Sequence, residues 1–431
     1  MSASLRRRPA LPNALRALRH RDFRLFWLGA FFSFVGSWVQ TTGQQWLVYD
    51  ITRSEQALGL ITFIGASPMF FLSPFGGWLA DRSNKRAVLI FASAGLSLSA
   101  FILAASVQFG FVSFWLIALL AFFGGCISVI EIPTRQSIIS EIVPPEDLAN
   151  AVPLNAMTFN SARIVGPAIG GAVLQYLGVA PCYLLNGISF AAIIFAALAI
   201  RADLRSTGDR SASLRESLFE GISYVFTNPA FRTVVSMMMT TAVFGLFYIS
   251  QVSPLATTVL HADESGYAAL FISTGVGAVL GILTLAVISH NPRKGLAPLV
   301  SMVGVGASLI ALSFCSQLWQ AMICMGLMGL FGSGQMVGTN TTLQYFSPYH
   351  LRGRVISVHA WSLAGLSPVG ALAFGTVSER LGLMTAFRIG GGVVLVVGVI
   401  ALLFGKSLRK LGSNSNEPTE TEEPVTEASI A

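Results

Sequence analysis

The chain has 431 residues, of which 53% are apolar and only 11% are charged, and its mean hydropathy is +0.68. Soluble domains carry about 25% charged residues, so this chain could not cover a water-facing surface. The composition therefore excludes a soluble enzyme and an intrinsically disordered protein. Apolar stretches recur along the chain at about 20 residues, the length a helix needs to cross the hydrocarbon core. We predict an all-α integral membrane protein.

Charge and cysteine content narrow the function further. Lysine and arginine total 27 against 20 acidic residues, which gives a net charge of +7. In a soluble protein this excess would suggest nucleic-acid binding, but in a membrane protein it indicates basic cytoplasmic loops, and no nucleic-acid partner is predicted. The four cysteines lie in apolar stretches and lack the spacing of a disulfide framework or a metal site. We interpret them as small core residues and predict no metal and no cofactor.

Residues 1–22 form a basic segment with six arginines from Arg6 to Arg21. No small-residue cleavage site follows a short apolar core, so a cleaved signal peptide is not predicted. An organelle transit peptide would share this composition, but the positive-inside rule explains it more simply. We predict a basic cytoplasmic N-terminus.

Twelve membrane spans are predicted from the apolar stretches. They cover residues 23–49, 57–79, 87–107, 112–133, 150–177, 181–200, 230–254, 266–289, 296–315, 319–343, 353–377 and 384–405. An even number of spans places both termini on one side. With the N-terminus inside, only Arg53, Arg380 and Arg388 fall on outer loops, and the opposite orientation would invert this bias. We therefore predict a multi-pass protein of the inner (plasma) membrane with both termini cytoplasmic.

The linker 201–229 divides the spans into two bundles of six, 23–200 and 230–405. Ser213 and Glu216 form a capping-box pattern, and apolar residues follow at helical spacing. This pattern predicts an amphipathic helix on the inner membrane surface. Residues 406–431 begin with basic residues and then become acidic and rich in proline, serine and threonine, which predicts a disordered cytoplasmic tail. Binding of a partner is the alternative role for this tail.

The two bundles are related in sequence at an offset of 204 residues. The identical positions are Pro144 and Pro348, Gly166 and Gly370, Gly171 and Gly375, and Leu177-Gly178 and Leu381-Gly382. Their registration with the span count indicates a duplicated six-helix unit.

The loop between spans two and three carries the most specific motif, Gly77-Trp-Leu-Ala-Asp-Arg-Ser-Asn-Lys-Arg86. It resembles the signature loop of the major facilitator superfamily, Gly-x-Leu-Ala-Asp-Arg-x-Gly-Arg-Arg, with Asn84 where the family has glycine. The resemblance implies two pseudo-symmetric six-helix bundles around a central cavity. It also implies an inner gate, for which the matching residues are Gly77, Asp81, Arg82, Lys85 and Arg86. The copy of this loop at 289–294 keeps the bases but lacks the acid, so a charge latch is expected in the first half only. A loop that only sets topology is the alternative.

Span five contains a second motif. Gly166 and Gly170 form a GxxxG ridge that admits a neighbouring helix, Pro167 bends the helix, and Gly171 follows. The segment from Ala162 to Gly171 resembles the span-five motif of exporters in this superfamily. In the family that motif is linked to antiport and to the conformational switch. Ordinary close packing is the alternative interpretation.

The stretch 132–151, taken with span five, resembles the branch that contains enterobactin (siderophore) exporters and macrolide efflux proteins. The resemblance covers residues 15–405. It implies a carrier that is usually monomeric and that exports a siderophore or drug-like small molecule by proton antiport. No Walker loop is present, since Gly405-Lys406-Ser407 lacks the glycine needed at Ile400.

Charged residues inside the predicted spans are candidates for proton coupling, because burying them in lipid costs about 2.5–3.5 kcal/mol. Arg163 lies in mid-span five, and Glu131 could pair with Arg135 one turn further along span four or face Arg163 across helices. Burial favours a neutral carboxyl group and an arginine partner favours its charged form, so an exchange of partners would bind and release a proton. A static pair that fixes helix packing is the alternative. His359 in span eleven is a second candidate, or else a hydrogen-bonded packing residue.

Polar side chains within the spans predict the substrate cavity. Gln40 and Gln44 share one face of span one, and spans one, four, seven and ten line the cavity in this superfamily. The other candidates are Asn155, Tyr248, Gln251, Gln335 and Asn340. Hydrogen bonding between helices, worth about 0.6 kcal/mol for each bond, is the alternative role.

These observations together predict a proton-driven exporter that works by alternating access. An uptake carrier or uniporter of the same fold is one rival, and a membrane-embedded sensor that does not transport is another. An enzyme is not predicted, because the sequence shows no convergent nucleophile or metal-binding groups.

Overall fold

A computed structural model describes residues 13–80, 82–204, 222–288, 295–348, 351–405 and 408. All regular secondary structure in these residues is helical. Several sequence predictions lie outside the described residues. They are Asp81, most of the predicted linker helix (205–221), the second-half copy of the signature loop (289–294) and nearly all of the C-terminal tail (406–407 and 409–431).

Twelve membrane helices follow one another in chain order. In the first half they are α1 (Arg21–Thr52), α2 (Glu55–Ala80), α3 (Lys85–Gln108), α4 (Phe114–Ile142), α5 (Leu148–Leu177) and α6 (Val179–Ala199). In the second half they are α7 (Pro229–Phe244), α8 (Glu264–Ile288), α9 (Leu296–Leu312), α10 (Leu318–Phe346), α11 (Arg352–Ala364 and Ser367–Leu381) and α12 (Leu383–Phe404). Short 3-10 turns at Asn13–Arg19 and Pro145–Asp147 precede α1 and α5.

Ten of these helices are recognisable as membrane helices from their composition alone. Nine contain windows that are long and apolar enough to cross a membrane, and α9 is shorter but equally apolar. Helices α1 and α5 do not reach that hydropathy, because each places polar side chains on a face that lies inside the bundle rather than in lipid. Both are nevertheless long enough to span the bilayer.

Helix α4 is longer than its sequence predicts. It continues to Ile142, whereas its predicted span ends at residue 133. The last turns contain Arg135 and Glu141, which lie beyond the end of the predicted span. In the structure Arg135 forms an ion pair with Glu131 and Glu141 forms one with Lys85 at the start of α3. Since both charges are paired, the helix can continue through them.

Two helices of the second half are irregular. Helix α7 leaves the α-helical path at Gly245 and continues to Val259 through a 3-10 turn and a π-helical stretch. Helix α11 breaks after Ala364 and resumes at Ser367, with Pro368 in its first turn. Proline removes a backbone donor but fits the first turn of a helix, so the break lies where the ring is tolerated.

The two halves share one register. Helix α10 begins and ends 204 positions after α4, and the two pieces of α11 together span the residues 204 positions after α5. The ends of α3 at Gln108 and of α9 at Leu312 differ by the same offset. The identities found in the sequence therefore correspond to equivalent places in two copies of one helical unit.

The apolar core changes from one end of the bundle to the other. We call the end at which α1 begins and α12 ends the basic end, and its opposite the far end. At the basic end each half has its own cluster of buried apolar residues, one around Phe26 and Ile193 and the other around Phe231 and Met302. At the far end the cluster of the second half includes Val39, Leu174 and Cys182 of the first half. Among the described residues, the halves therefore share an apolar core at the far end and have separate cores at the basic end.

Candidate functional site: a polar cavity and a far-end seal

A cavity of about 320 Å³ lies inside the first half, between α1, α3, α4 and α6. We call it the polar cavity. Its wall on α1 is a polar stripe made of Ser33, Ser37, Gln40, Thr41 and Gln44. Apart from the adjacent pair Gln40 and Thr41, these residues are three or four positions apart, so they share one face of the helix. The other polar residues of the wall are Ser99 of α3, Ser128, Glu131 and Arg135 of α4, and Asn186 of α6. The rest of the wall is apolar and consists of Phe34, Leu96, Leu103, Leu120, Ala121, Gly124, Ile132 and Phe190.

A buried ion pair closes the cavity toward the basic end. The Arg135 Nε donates to the Glu131 carboxylate one turn earlier on α4, and both side chains are 7% exposed. Arg135 Nη2 also donates to Ser33 Oγ at 3.1 Å, and the guanidinium lies 4.9 Å from the centre of the Phe34 ring. Nη1 is buried without a hydrogen-bond partner among the described residues. The pair therefore leaves one donor of Arg135 unsatisfied.

Arg163 does not reach Glu131. Its Nη1 lies 3.6 Å from the sulfur of Met336 on α10, so it points across to the other half of the molecule. Thioether sulfur is only a weak acceptor. Of the two sequence-based alternatives for Glu131, the structure contains the pair with Arg135.

The equivalent of this ion pair in the second half is uncharged. At the offset of 204 residues, Gln335 corresponds to Glu131 and Thr339 corresponds to Arg135. The Gln335 amide exchanges hydrogen bonds with the Thr241 hydroxyl at 2.9 and 3.2 Å. His359 is buried, and its Nε2 lies 3.0 Å from Thr339 Oγ1. His359 thus has the hydrogen-bonded environment of a packing residue.

The residues predicted for the substrate cavity fall into separate places. Gln40 and Gln44 line the polar cavity, and Gln40 Oε1 accepts a hydrogen bond from Asn186 Nδ2 at 2.6 Å. In the second half, Asn340 Oδ1 accepts from Gln344 Nε2 at 2.9 Å and Tyr248 is buried. Asn155 is half-buried near the basic end of α5.

Gln251 lies in a contact between the halves rather than in an open cavity. It is fully buried, and its Nε2 donates to the Glu55 carbonyl at 3.2 Å. This places it at the far end, where α2 meets α11. The irregular path of α7 determines this position, and a regular helical periodicity does not reveal it.

We call the contact between the halves at the far end the seal. On one side of the molecule it joins α2 to α11. Glu379 Oε2 accepts from Ser54 Oγ at 2.9 Å and from the Gln56 backbone N–H at 3.3 Å. A Cβ on Gly59 would come within 2.3 Å of the Ala371 carbonyl oxygen, and one on Gly375 within 2.8 Å of the Glu55 carbonyl oxygen. Backbone therefore packs directly on backbone here.

On the other side the seal joins α5 and the end of α1 to α8 and the end of α7. A Cβ on Gly171 would come within 2.2 Å of the Ala268 Cβ. The Tyr267 hydroxyl donates to the Thr42 carbonyl at 3.0 Å, and the hydroxyls of Tyr49 and Thr258 are 2.7 Å apart. Because Gly171 and Gly375 are related by the offset of 204, both sides of the seal use the same position of the repeat.

The span-five motif has two faces. A Cβ on Gly166 would come within 2.3 Å of the Trp38 Cβ, and one on Gly170 within 3.0 Å of the Thr42 Cβ, so both glycines admit α1. Gly171, next in the chain, faces α8 in the other half. Pro167 lies inside α5 between them. The motif thus packs helices within the first half and also contributes to the seal.

The signature loop holds the first half together at the basic end. Asn84 caps α3 by accepting from the Ala87 N–H at 3.2 Å, and Lys85 is paired with Glu141 of α4. Arg86 Nη2 donates to the carbonyls of Ile200 and Ala202 at 2.6 and 3.0 Å. Lys85 and Arg86 therefore tie α3 to α4 and to the start of the linker. Gly77 lies in the last turn of α2, and Arg82 follows that helix.

Several residues of these sites were missed in the sequence. Asp147 is 4% exposed and forms an ion pair with Arg16, with Nε and Oδ1 2.9 Å apart, and its Oδ2 lies 2.7 Å from His20 Nε2. It therefore anchors the N-terminal segment to α5. Asn186 and Glu379 were missed as well. A polar side chain inside a membrane span is itself a signal, and that signal would have found Asn186.

A bundle of twelve membrane helices in two related halves, with a polar interior and a seal between the halves, is the architecture of the major facilitator superfamily. Its members are membrane transporters, not enzymes. Residues 13–431 match the family model described as transmembrane secretion effector, and the chain belongs to that family.

Named relatives align with almost the whole chain. The staphyloferrin A transporter of Staphylococcus aureus is 22% identical over 91% of this chain and 98% of its own length. The multidrug efflux pump Tap of Mycolicibacterium fortuitum is 24% identical over 87% of this chain and 93% of its own. The enterobactin exporter EntS of Shigella flexneri is 23% identical over 94% of this chain and 96% of its own.

Solved structures share the fold. A mutant of the nucleoside transporter NupG superposes with a TM-score of 0.73 at 11% identity, over 89% of this chain and 99% of that one. A bacterial homologue of the human lysosomal transporter Spinster, in an inward-facing and unoccupied conformation, superposes with a TM-score of 0.63 at 17% identity. That match covers 94% of this chain and 98% of the other.

Proposed function

We propose that this transporter is a monomeric, proton-driven exporter in the inner (plasma) membrane that carries a siderophore or a drug-like small molecule out of the cytoplasm. The observation that carries the proposal is the buried Glu131–Arg135 pair on the wall of the polar cavity. The names of the relatives, which include two siderophore transporters and a multidrug pump, support export and the class of substrate.

The basic end is the cytoplasmic end in this proposal. The distribution of basic residues supports this orientation, because Arg16, Arg21, Lys85 and Arg86 all lie there. The seal then separates the polar cavity from the outside. Transport requires the seal to open while the basic end closes, by rocking of one half on the other. Gly77, Asp81, Arg82, Lys85 and Arg86 form the inner gate that holds the closed basic end.

Glu131 is the proposed proton carrier. Its ion pair with Arg135 stabilises the charged carboxylate, and loss of that partner in a buried site favours the protonated form. Arg163 and His359 are secondary coupling candidates, since Arg163 reaches Met336 across the halves and His359 lies beside the uncharged repeat of the pair.

In this proposal the substrate lies between the halves and reaches the polar cavity through Gln40 and Gln44. Its other proposed polar contacts are Asn155, Tyr248, Gln251, Gln335 and Asn340. Gln251 would reach the substrate only after the seal opens, because its amide is bonded to Glu55 in the closed seal. Gly166, Pro167, Gly170 and Gly171 form the part of α5 that transmits this opening.

Transport into inverted membrane vesicles tests the proposal. In such vesicles an exporter accumulates substrate when the lumen is acidified, and an uncoupler abolishes the accumulation. A panel of siderophores, macrolides and dyes is compared for the wild type, Glu131→Gln and the control Thr62→Val, whose side chain is not part of the cavity wall. We expect Glu131→Gln to lose the uncoupler-sensitive part of transport and Thr62→Val to keep it. Accumulation that is independent of the pH gradient, or accumulation only in right-side-out vesicles, would contradict the proposal.

A further inference from the structure

Two of the four cysteines meet at the far end of the second half. Cys315 lies in the loop between α9 and α10, and Cys324 lies in the second turn of α10. Their sulfur atoms are 3.6 Å apart, which is van der Waals contact, and each residue is 8% exposed. Cys182, which belongs to the same apolar cluster, instead donates to the carbonyls of Gly170 and Gly178 at 3.8 Å.

Other contacts hold the loop that carries Cys315. The Cys315 thiol donates to the Ala311 carbonyl at 3.5 Å. Arg388 of α12 binds the same loop, because its Nε donates to Ser313 Oγ at 3.3 Å and its guanidinium lies 4.9 Å from the centre of the Phe314 ring. The two sulfur atoms therefore stay beside one another in the folded protein.

A disulfide bond requires only a small movement at this place. The bond is about 2.05 Å long, so the sulfur atoms must approach by about 1.5 Å from their present separation. Cys315 lies in a loop, where the backbone adjusts more readily than in a helix. Its neighbours in the chain, Phe314 and Ser316, are both exposed, so the thiol lies one residue away from water.

We infer that Cys315 and Cys324 are a modification site at which the transporter forms an intramolecular disulfide bond. The reaction is thiol–disulfide exchange with an external disulfide. The Cys315 thiolate attacks that disulfide and forms a mixed disulfide, and the first sulfur of the reagent leaves and takes up a proton. Cys324 then loses its proton and displaces the second sulfur. Both cysteines are thereby oxidised, and the reagent is reduced to two thiols.

The bond would lie directly behind the seal. Leu318, which lies between the two cysteines in the chain, packs beside Gly266 of α8, where an added Cβ would come within 3.4 Å of the leucine Cδ2. Tyr267, the next residue of α8, donates to the Thr42 carbonyl of the other half. A bond that fixes the loop between α9 and α10 therefore stabilises the support of the seal on the second half.

The location of the pair favours oxidation in the cell. The proposed function places the far end outside the membrane, and disulfide bonds form and persist in oxidising compartments. This part of the inference rests on the proposed orientation, whereas the contact between the two thiols does not. Because burial disfavours the thiolate, we expect the exchange to be slow.

Oxidised glutathione added to the purified full-length protein in lipid nanodiscs tests the site. We expect two of the four cysteines to stop reacting with maleimide after unfolding, and the protein mass to fall by two hydrogen atoms. Chymotryptic cleavage at Leu318 or Trp319, between the cysteines, should give peptides that separate only after reduction. The midpoint of thermal unfolding should rise by a few degrees, because the bond restricts the unfolded chain.

Serine variants identify the two partners. Cys324→Ser should keep glutathione on Cys315 as a stable mixed disulfide, because the second thiol is missing. Cys315→Ser should prevent formation of the bond. Cys126→Ser is the matched control, because Cys126 lies in α4 of the first half and is only half-buried, and this variant should form the bond as the wild type does.

Several results would overturn the inference. These are glutathione adducts on Cys315 and Cys324 without a bond between them, a bond that involves Cys126 or Cys182, or an unfolding midpoint that does not change on oxidation. Proton-driven export by a protein that never forms the bond would leave the proposed function intact and reject the site.

Protein alkylated in intact cells before purification tests the location, and we expect it to contain the bond already. A bond that forms in nanodiscs but is absent from protein alkylated in cells would leave the site intact. It would contradict the outward orientation of the far end, and with it the orientation in the proposed function.

Discussion

Helices α4 and α10 occupy equivalent places in the two halves, yet they carry different chemistry. Glu131 and Arg135 form a buried ion pair on α4, whereas Gln335 and Thr339 form neutral hydrogen bonds on α10. A buried charge is expensive unless it is paired. One half therefore keeps costly charges that the other half lacks, and the proposed coupling site lies in the half that keeps them.

The glycine contacts, unlike the ion pair, are present in both halves. Gly171 and Gly375 both lie in the seal, and Gly166 and Gly370 both admit a neighbouring helix, α1 in one half and α7 in the other. Rocking of two halves requires matched contact surfaces on both sides of the axis. Proton coupling requires only one site. Both copies of the repeat thus keep the packing glycines, whereas only one copy keeps the buried ion pair.

The largest expected effect comes from breaking the ion pair. Arg135→Ala leaves Glu131 buried without a partner and should lower the free energy of unfolding by about 3–5 kcal/mol. The repeat-matched change Thr339→Ala removes a neutral hydrogen bond and should cost about 1 kcal/mol. Thermal unfolding in detergent measures both. The double variant Glu131→Gln/Arg135→Thr copies the second half and should regain most of the lost stability, so a double variant as unstable as Arg135→Ala would contradict this account.

Bulk in the seal should impair transport more than folding. Gly171→Val and Gly375→Val each place a side chain where a Cβ would come within 2.2 and 2.8 Å of the other half. We expect each to reduce transport at least about tenfold. The added side chain should destabilise the conformation with a closed seal by more than about 1.4 kcal/mol, which changes the ratio of the closed to the open conformation by at least that factor. Gly392→Ala, at a position with no atom within 4 Å of the added Cβ, is the control. A normal rate for either valine variant would remove that side of the seal from the mechanism.

The role of His359 distinguishes packing from proton coupling. His359→Asn places in the second half the residue that occupies the equivalent position in the first, Asn155. If His359 packs against Thr339 only, the change costs about 1 kcal/mol of stability and leaves the pH profile of transport unchanged. A shifted pH profile, measured beside that of Glu131→Gln, would instead make His359 part of the proton path.

The smallest effect concerns the caps of the repeat-related helices α2 and α8. Ser54 caps α2 through Ala57 N, whereas Asp263 caps α8 through the N–H groups of Ser265 and Gly266. Hydrogen bonds from the Ser265 hydroxyl and the Gly266 N–H lower the pKa of Asp263 below its usual value of 3.8. Because the folded-state pKa is the lower one, this stabilisation is present above the unfolded pKa and is lost as the pH falls through the folded value.

Alanine variants test these two caps. Asp263→Ala and Ser54→Ala should each cost about 1 kcal/mol at neutral pH. Only the cost of Asp263→Ala should decrease as the pH falls below the usual aspartate pKa of about 4, and it should disappear below the lower pKa of the folded state. A cost of Asp263→Ala that persists in acid would show that its charge does not contribute.

The sequence predicts the helices well because a segment that crosses lipid must be helical and apolar over about 20 residues. Twelve apolar stretches become twelve helices, and even α1 and α5 are recognisable although polar residues lower their hydropathy. The spacing of Glu131 and Arg135 also predicts their pairing, because residues four apart on a helix are neighbours. Gln40 and Gln44 share a face for the same reason.

Contacts between helices are less predictable. The sequence shows that Arg163 needs a partner but not that it faces Met336, because the rotation of α5 is set by its packing on α1 and α8. Gln251 is predicted to face the cavity because span seven lines it in the superfamily, and the sequence does not show that its amide donates to the Glu55 carbonyl in the seal. The extension of α4 depends on Lys85, a residue more than 50 positions away from its partner Glu141.

The direct backbone contacts of the seal have an electrical consequence. Gly59 meets the Ala371 carbonyl and Gly171 meets Ala268 so closely that not even a methyl group fits, and no file of water molecules passes at these two points. A continuous water file would conduct protons and discharge the membrane, at about 2.3 kcal/mol for each charge and each 100 mV. The seal is therefore an insulator as well as a barrier to the substrate.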